Sequence, residues 1–179
     1  MPRYIAFLRA INVGGHTVKM DYLRTLFEAL GFSNVETFIA SGNVIFDSKS
    51  KSTRALEKKI EAFLQEKLGY AVVTFIRSAK EVATVAGYEP FNAADPKVER
   101  NVVYIAFLAD TPAEEAKQKL LSFATEDDEL HVSGREVYWR SHKQMSESEF
   151  SGARLEKILG VPATLRNFTT IKRLGSKYP

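Results

Sequence analysis

The sequence contains no cysteine. A chain without thiols forms no disulfide and offers no thiolate nucleophile, zinc-thiolate site or iron-sulfur ligand. Long hydrophobic runs are also missing. The apolar stretch near the N-terminus has only the length of one strand, which is too short to span a membrane, and it lacks a signal-peptide cleavage pattern. These absences predict a cytoplasmic protein that does not enter a membrane.

A large excess of one charge is missing as well. Lys and Arg number 25 against 22 Asp and Glu, which gives a net charge of +3 and a sequence pI near 9.0. This excess invites a nucleic-acid interpretation but is small for a chain of 179 residues. Apolar residues make up 45% and charged residues 26%, which is typical of a globular chain with a packed core.

A repeat organises the chain. The pentapeptide YIAFL occurs at Tyr4–Leu8 and again at Tyr104–Leu108. Each copy precedes, in the same order, a helix, a hairpin with Ser-Gly at its tip, a second helix, a strand ending in arginine and a last helix. The ordered anchors predict an internal duplication, with an N-terminal half at residues 1–90 and a C-terminal half at 91–179.

Hydrophobic spacing predicts the elements of the first half. Apolar residues at helical intervals predict a helix from Met20 to Leu30 and a second one that Gly69 ends. Val35–Ala40 and Asn43–Asp47 predict a hairpin, with Ile39 opposite Val44 and both faces apolar. Ser78 and Glu81 have the spacing of a capping box.

The second half repeats this order with its own punctuation. Thr111 is predicted to cap a helix that has Pro112 in its first turn. Leu130–Arg140 is predicted to be the hairpin, Phe150 to Gly160 to contain the next helix, and Asn167 to cap the last one.

The order βαββαβ plus a trailing helix predicts an α+β fold of two ferredoxin-like units with antiparallel sheets. Two such units need not stay independent. Their uncovered sheet faces either pack on each other or merge into one pseudo-barrel, and the sequence leaves both arrangements open.

One loop differs between the repeats. The distance from the tyrosine of YIAFL to the hairpin serine is eight residues longer in the first half than in the second. We place the extra residues in Ile11–Val18. A core needs no such insertion, so this loop is the best functional pointer. Split-βαβ topology brings the hairpin tip near it. Arginine and glycine amides bind anions, so the candidate ligand-binding residues are Arg9, Asn12, Gly14, Gly15, His16, Ser41 and Asn43.

A second polar cluster lies near the C-terminus. It consists of Thr164, Arg166, Asn167, Thr170 and Lys172. The three histidines, His16, His131 and His142, have no metal-ligand spacing, and no cofactor motif occurs. We therefore predict neither a metal nor a cofactor.

At these same segments the chain resembles a bacterial family, domain of unknown function 1697. The resemblance rests on YIAFLRAINVGG at Tyr4–Gly15, SGNVIF at Ser41–Phe46 and RNFTT at Arg166–Thr170. Ala10 stands where glycine is usual. The resemblance implies a duplicated α+β fold in a bacterial cytosol and no established activity, so it implies no catalytic residues.

Three functions remain open at this point. The favoured one is binding of a small phosphate- or carboxylate-bearing ligand or nucleotide at the Gly-Gly loop, with or without an enzymatic reaction. Nucleic-acid binding, motivated by the basic balance and by Tyr4 and Phe7, is the alternative. The third is a non-catalytic interaction module.

Overall fold

Two four-stranded antiparallel sheets form the framework of the chain, and two helices share a core with one face of each. This architecture is that of a computed structural model, which describes residues 1–9, 11–12, 15–40, 42–92, 101–142 and 151–179. The chain divides into two compact units, of which the first comprises Met1–Thr84 with Leu174–Pro179 and the second Val85–Arg173. The predicted fold class, mixed α+β with two repeated α/β units, is confirmed. The division at residue 90 stays a prediction.

The first sheet has the strand order β2-β3-β1-β4, with every neighbouring pair antiparallel. The elements along the chain are β1 (Arg3–Leu8), α1 (Met20–Ala29), β2 (Ser33–Thr37), β3 (Asn43–Asp47), α2 (Thr53–Leu68), β4 (Thr74–Ser78) and α3 (Ala79–Ala86).

The second sheet has the equivalent order, β6-β7-β5-β8, and is antiparallel throughout. Its register matches as well, since Arg77 lies opposite Ile5 and Arg166 lies opposite Ile105. The elements are β5 (Val102–Leu108), α4 (Glu114–Leu121), β6 (Asp128–Ser133), β7 (Glu136–Ser141), α5 (Gly152–Leu159), β8 (Ala163–Asn167) and α6 (Phe168–Lys177).

Each unit buries its helices against alternate residues of its sheet. In the first unit Leu23 and Phe27 of α1 join Phe46 of β3 in one core cluster. In the second, Leu120 of α4 and Leu155 of α5 join Trp139, which is fully buried. Burying a leucine or phenylalanine side chain contributes about 1.5–3 kcal/mol, so these clusters hold the helices on the sheets.

Helix ends follow the predicted punctuation in three places. The Ser78 and Glu81 capping box is formed, with each side chain accepting a hydrogen bond from the other's backbone N–H at 2.7 and 3.1 Å. Asn167 accepts from the N–H of Thr169 at 2.9 Å at the start of α6. Gly69 ends α2 in the left-handed conformation that glycine adopts without steric cost.

The predicted cap at Thr111 is wrong. Helix α4 begins at Glu114 with Ala113 as N-cap, and no side chain caps it. The reason is local: Pro112 pushes the residue before it toward extended backbone, and two carboxylates in the first turn complement the helix dipole instead. The predicted helix residue Phe150 lies outside the described residues.

The predicted register of the first hairpin is also wrong. Val44 lies opposite Thr37 and not opposite Ile39, because residues 38–42 form a five-residue loop. Within that loop Ile39 has a φ of 52° and is 44% exposed, an unusual backbone conformation for a β-branched residue. Every residue of β3 is nevertheless buried, so this strand is covered on both faces as expected.

Carboxylates of the helices close one edge of each sheet. In the first unit Glu61 and Glu57 of α2 accept hydrogen bonds from the N–H groups of Thr74 and Ile76 on edge strand β4, at 3.0 and 3.1 Å. In the second, Glu156 of α5 accepts from Ala163 on β8 at 2.8 Å.

Among the residues that the structure describes, each sheet keeps two edge strands and neither closes into a barrel. No helix in that part of the chain combines the length and the apolar character that a membrane span requires.

Candidate functional site

Three connections of the first unit meet at the end of its sheet where β1 finishes, and we call this end the loop edge. They are residues 9–19 after β1, 38–42 after β2 and 69–73 after α2. The N–H of Leu8 donates to the carbonyl of Gly42 at 2.8 Å, which joins the end of β1 to the second connection. The N–H of Arg9 donates to the carbonyl of Val73 at 2.9 Å, which joins it to the third. The expected approach of the hairpin tip to the long loop is therefore confirmed.

Asn12 fastens the long loop at both ends. Its Nδ2 donates to the carbonyl of Ala40 in the hairpin loop at 3.0 Å, and its Oδ1 accepts from the N–H of Val18 at 2.7 Å. A single amide side chain thus holds the loop closed and against the hairpin. Asn12 is a positioning residue of this edge, because both of its polar groups bind backbone.

The third connection supplies a residue that the sequence analysis missed. The ring of Tyr70 stacks on His16 with centroids 3.8 Å apart, and its hydroxyl donates to the carbonyl of Ile11 at 3.2 Å. Burial raises the pKa of this tyrosine, which keeps its hydroxyl a donor. The signal was available in the topology, since in an antiparallel βαββαβ unit the end of α2 returns to the edge where β1 ends.

The other predicted residues fall into three groups. Gly15 has a φ of 86° with open space around its α-carbon, and His16 is exposed. Asn43 is fully buried and donates to the carbonyl of Phe38 at 3.0 Å, so it shapes the hairpin loop and does not face solvent. Gly14 and Ser41 lie outside the described residues.

The second unit has the same three connections in shorter form. After β5 the chain takes five residues to reach α4, whereas the first unit takes eleven after β1. The two hairpin loops have two and five residues, and the connections after α5 and α2 have three and five. The long loop exceeds its counterpart by six residues, not by the predicted eight, because the first hairpin loop holds part of the difference.

Comparison with known proteins identifies the family. The family described as Protein of unknown function (DUF1697) matches residues 1–138. The chain belongs to the DUF1697 family. Its matched region contains all of the first unit up to Thr84, and it stops short of the RNFTT segment on which part of the predicted resemblance rests.

Structural comparison agrees on the fold. The DUF1697 chain is similar to the solved structure of conserved bacterial protein SP0830 from Streptococcus pneumoniae, with 24% identity and a TM-score of 0.75 over 99% of this chain and 98% of that one. At this identity the likeness shows the fold alone. Among curated proteins no match was found.

The second polar cluster of this DUF1697 protein is split by burial. Arg166 is buried and donates to Thr164 Oγ1 at 2.8 Å, and burial lowers its pKa to about 10. Asn167 serves as the helix cap described above. Lys172 is exposed and contacts Glu89 at 3.3 Å. These residues therefore do not form one site, and Thr170 has no described role in one.

Histidines and acids form no metal site in the described part of the DUF1697 chain, where no group of three or more potential ligands converges. His131 pairs with the hydroxyl of Tyr88 at 2.9 Å, and His142 with Glu129 at 2.9 Å. The stacking aromatics suggested for nucleic-acid binding, Tyr4 and Phe7, are 4% and 0% exposed and cannot receive a base in this conformation.

Proposed function

We propose that this protein binds a small phosphate- or carboxylate-bearing ligand at the edge formed by residues 9–19, 38–42 and 69–73. The observation that carries the proposal is the comparison of the two units. On equivalent sheets, all three connections at this edge are longer in the first unit, and loops that a core does not require are where binding residues concentrate.

Charge supports an anionic ligand. The three connections contain no Asp or Glu, and they carry Arg9, His16 and Lys19. The equivalent connection of the second unit has Ala109 in place of Arg9, followed by Asp110. Cationic side chains on connections that carry no carboxylate of their own attract anions.

Arg9 is the residue we assign to the ligand. Its backbone is fixed by the hydrogen bond to Val73, and its side chain is half-buried, which limits the entropy lost on binding. A guanidinium presents its N–H groups in a planar fork that matches phosphate and carboxylate oxygens. His16, held by its stacking on Tyr70, supplies the second polar contact.

The proposal is one of ligand binding and assigns no reaction to this protein. It also keeps the cytosolic location as a prediction. We further infer that the two units descend from one duplicated unit, which the shared strand order and the equivalent arginines Arg77 and Arg166 support.

The test is titration of the ¹⁵N-labelled protein with inorganic phosphate, acetyl phosphate and citrate, followed by NMR. We expect saturable shifts at Gly15, His16 and Tyr70, and we expect Arg9→Ala to weaken binding about tenfold or more, as the loss of a charge-assisted hydrogen bond does.

Arg24→Ala is the matched control, since Arg24 is an exposed arginine on α1 that pairs with Glu28. Equal weakening by both substitutions would mean a diffuse electrostatic effect and would overturn the assignment. An absence of shifts with all three anions, together with a partner protein that co-purifies and depends on this edge, would favour the interaction module.

A further inference from the structure

The second unit contains a cavity of about 350 Å³ that the proposed anion site does not include. Its lining combines two cationic side chains, two aromatic rings and one carboxylate, contributed by Arg140, Lys172, Phe91, Phe168 and Glu89. Val103 of β5 adds an apolar surface. Ligand pockets measure about 300–1,000 Å³, so this cavity suits a small molecule.

Arg140 is fixed before any ligand arrives. Its Nε and Nη2 bind the two carboxylate oxygens of Glu129, with Nη2 to Oε1 at 2.8 Å, and its Nη1 donates to the carbonyl of Asn92 at 2.6 Å. The hydrogen bond from Arg140 lowers the pKa of Glu129, although burial of the carboxylate opposes this effect. A second hydrogen bond, from His142, lowers the pKa further. These partners use three of the five N–H groups of the guanidinium, which leaves donors on a rigid side chain.

Lys172 is held loosely by comparison. Its contact with Glu89 is 3.3 Å long, and the two side chains are 51% and 70% exposed. Exposed pairs of this kind contribute little to stability and exchange readily with other anions. Lys172 can therefore turn from Glu89 to an anionic ligand at little cost.

The cations already lie over aromatic rings. The guanidinium carbon of Arg140 is 5.0 Å from the centroid of Phe91, and Nζ of Lys172 is 4.8 Å from that of Phe168. These contacts keep the charges beside flat apolar surfaces, an arrangement that suits a ligand whose ring stacks on phenylalanine while its anionic group meets a cation.

We propose that this cavity binds a small anion that carries a planar aromatic or heteroaromatic ring, of about the size of a nucleoside monophosphate. The ring stacks on Phe91, which is partly exposed, and the anionic group binds Lys172, with Arg140 as the fixed donor. This site is separate from the edge of the first unit and does not depend on the function proposed for it.

The experiment titrates the full-length Arg9→Ala variant with adenosine 5′-monophosphate, adenosine and ribose 5-phosphate, which separate the contributions of ring and anion. Backbone NMR shifts locate the binding. We expect saturable shifts at Asn92, Val103 and Lys172 with the monophosphate, and affinities at least about tenfold weaker for the two fragments, because each lacks one half of the recognition.

Variants test the lining. Lys172→Ala and Phe91→Leu should each weaken the monophosphate about tenfold, Lys172→Arg should restore most of the affinity, and Lys117→Ala on α4 is the matched control. Both Lys172 and Phe91 are at least partly exposed, so folding is preserved. No saturable shift in the second unit, equal binding of ribose 5-phosphate, or equal effects of Lys172→Ala and Lys117→Ala would each overturn the proposal.

Discussion

The two units share a scaffold and differ where their strands end. In both, the last residue of the first strand donates to the hairpin loop, Leu8 to Gly42 and Leu108 to Arg135. The next residue donates to the connection before the last strand, Arg9 to Val73 and Ala109 to Pro162. Only the first unit builds a long basic edge on these bonds. The comparison teaches that backbone pairing fixes where the loops meet, and that loop length sets how many residues gather there.

The two units also carry different ion pairs at equivalent positions of their sheets. Asp47 of β3 pairs with Arg3, whereas the equivalent position of β7 is Arg140, which pairs with Glu129 of β6. The charge at this position therefore has the opposite sign in the second unit. The partner residue also lies on a different strand, β1 in the first unit and β6 in the second. Each unit therefore satisfies the charge on the equivalent strand with a different partner.

The largest effect that we expect is a difference in stability between alanine substitutions at the two hairpin glycines, Gly42 and Gly134. Gly42 has a φ of 83°, and an added Cβ would lie 2.8 Å from Ile11 Cγ2 and 3.2 Å from Leu8 Cβ. Gly134 has a φ of 58° with only a side-chain oxygen at 3.8 Å. Gly42→Ala should cost about 3 kcal/mol, from backbone strain plus overpacking, and Gly134→Ala about 1 kcal/mol. Urea denaturation measures both, and equal costs would show that the first hairpin is not tightly packed against the long loop.

An intermediate effect is expected at Asn12, which has no counterpart in the second unit. Asn12→Ala removes two hydrogen bonds and should lower the free energy of unfolding by about 1–2 kcal/mol. Hydrogen exchange of the Val18 amide should accelerate. Asn12→Asp keeps the acceptor for Val18 and loses the donor to Ala40, so its Val18 amide should stay protected. Unchanged exchange in Asn12→Ala would mean that other contacts hold the loop.

The smallest effect that we expect is on the stability of the protein at acidic pH. Although burial opposes it, hydrogen bonds from Asn34 and Arg3 hold the pKa of Asp47 below its usual value, and Arg140 does the same for Glu129. Both carboxylates therefore contribute stability above their unfolded pKa of about 4, and this contribution is lost as pH falls through their folded values. Asp47→Asn and Glu129→Gln should flatten the loss of stability as the pH falls below about 4. A slope unchanged from that of the wild type, measured by urea titration at each pH, would contradict this.

Local signals in the sequence were sufficient for much of this fold. The repeated YIAFL strands, the capping box of Ser78 and Glu81, and the glycine stop at Gly69 all depend on residues close in sequence, and the structure contains each of them. The approach of the long loop to the hairpin was also predictable, because antiparallel topology dictates it.

Features set by packing were not predictable in the same way. Nothing local to Ile39 announces a left-handed conformation, so the five-residue loop and the shifted register at Val44 were missed. The burial of Asn43 and the stacking of Tyr70 on His16 depend on contacts between distant segments. Composition alone assigns such polar residues to the surface or to a ligand.

The glutamates that accept hydrogen bonds from β4 and β8 have a consequence for assembly. An exposed edge strand offers its free amides to a strand of another chain, which is how edge-to-edge aggregation and fibril growth begin. Here Glu61 and Glu57 occupy the outward amides of Thr74 and Ile76, and Glu156 occupies that of Ala163. An incoming strand would have to displace a charged acceptor before forming its first hydrogen bond. At these two edges, a few carboxylates on neighbouring helices protect the native sheet against templated polymerisation.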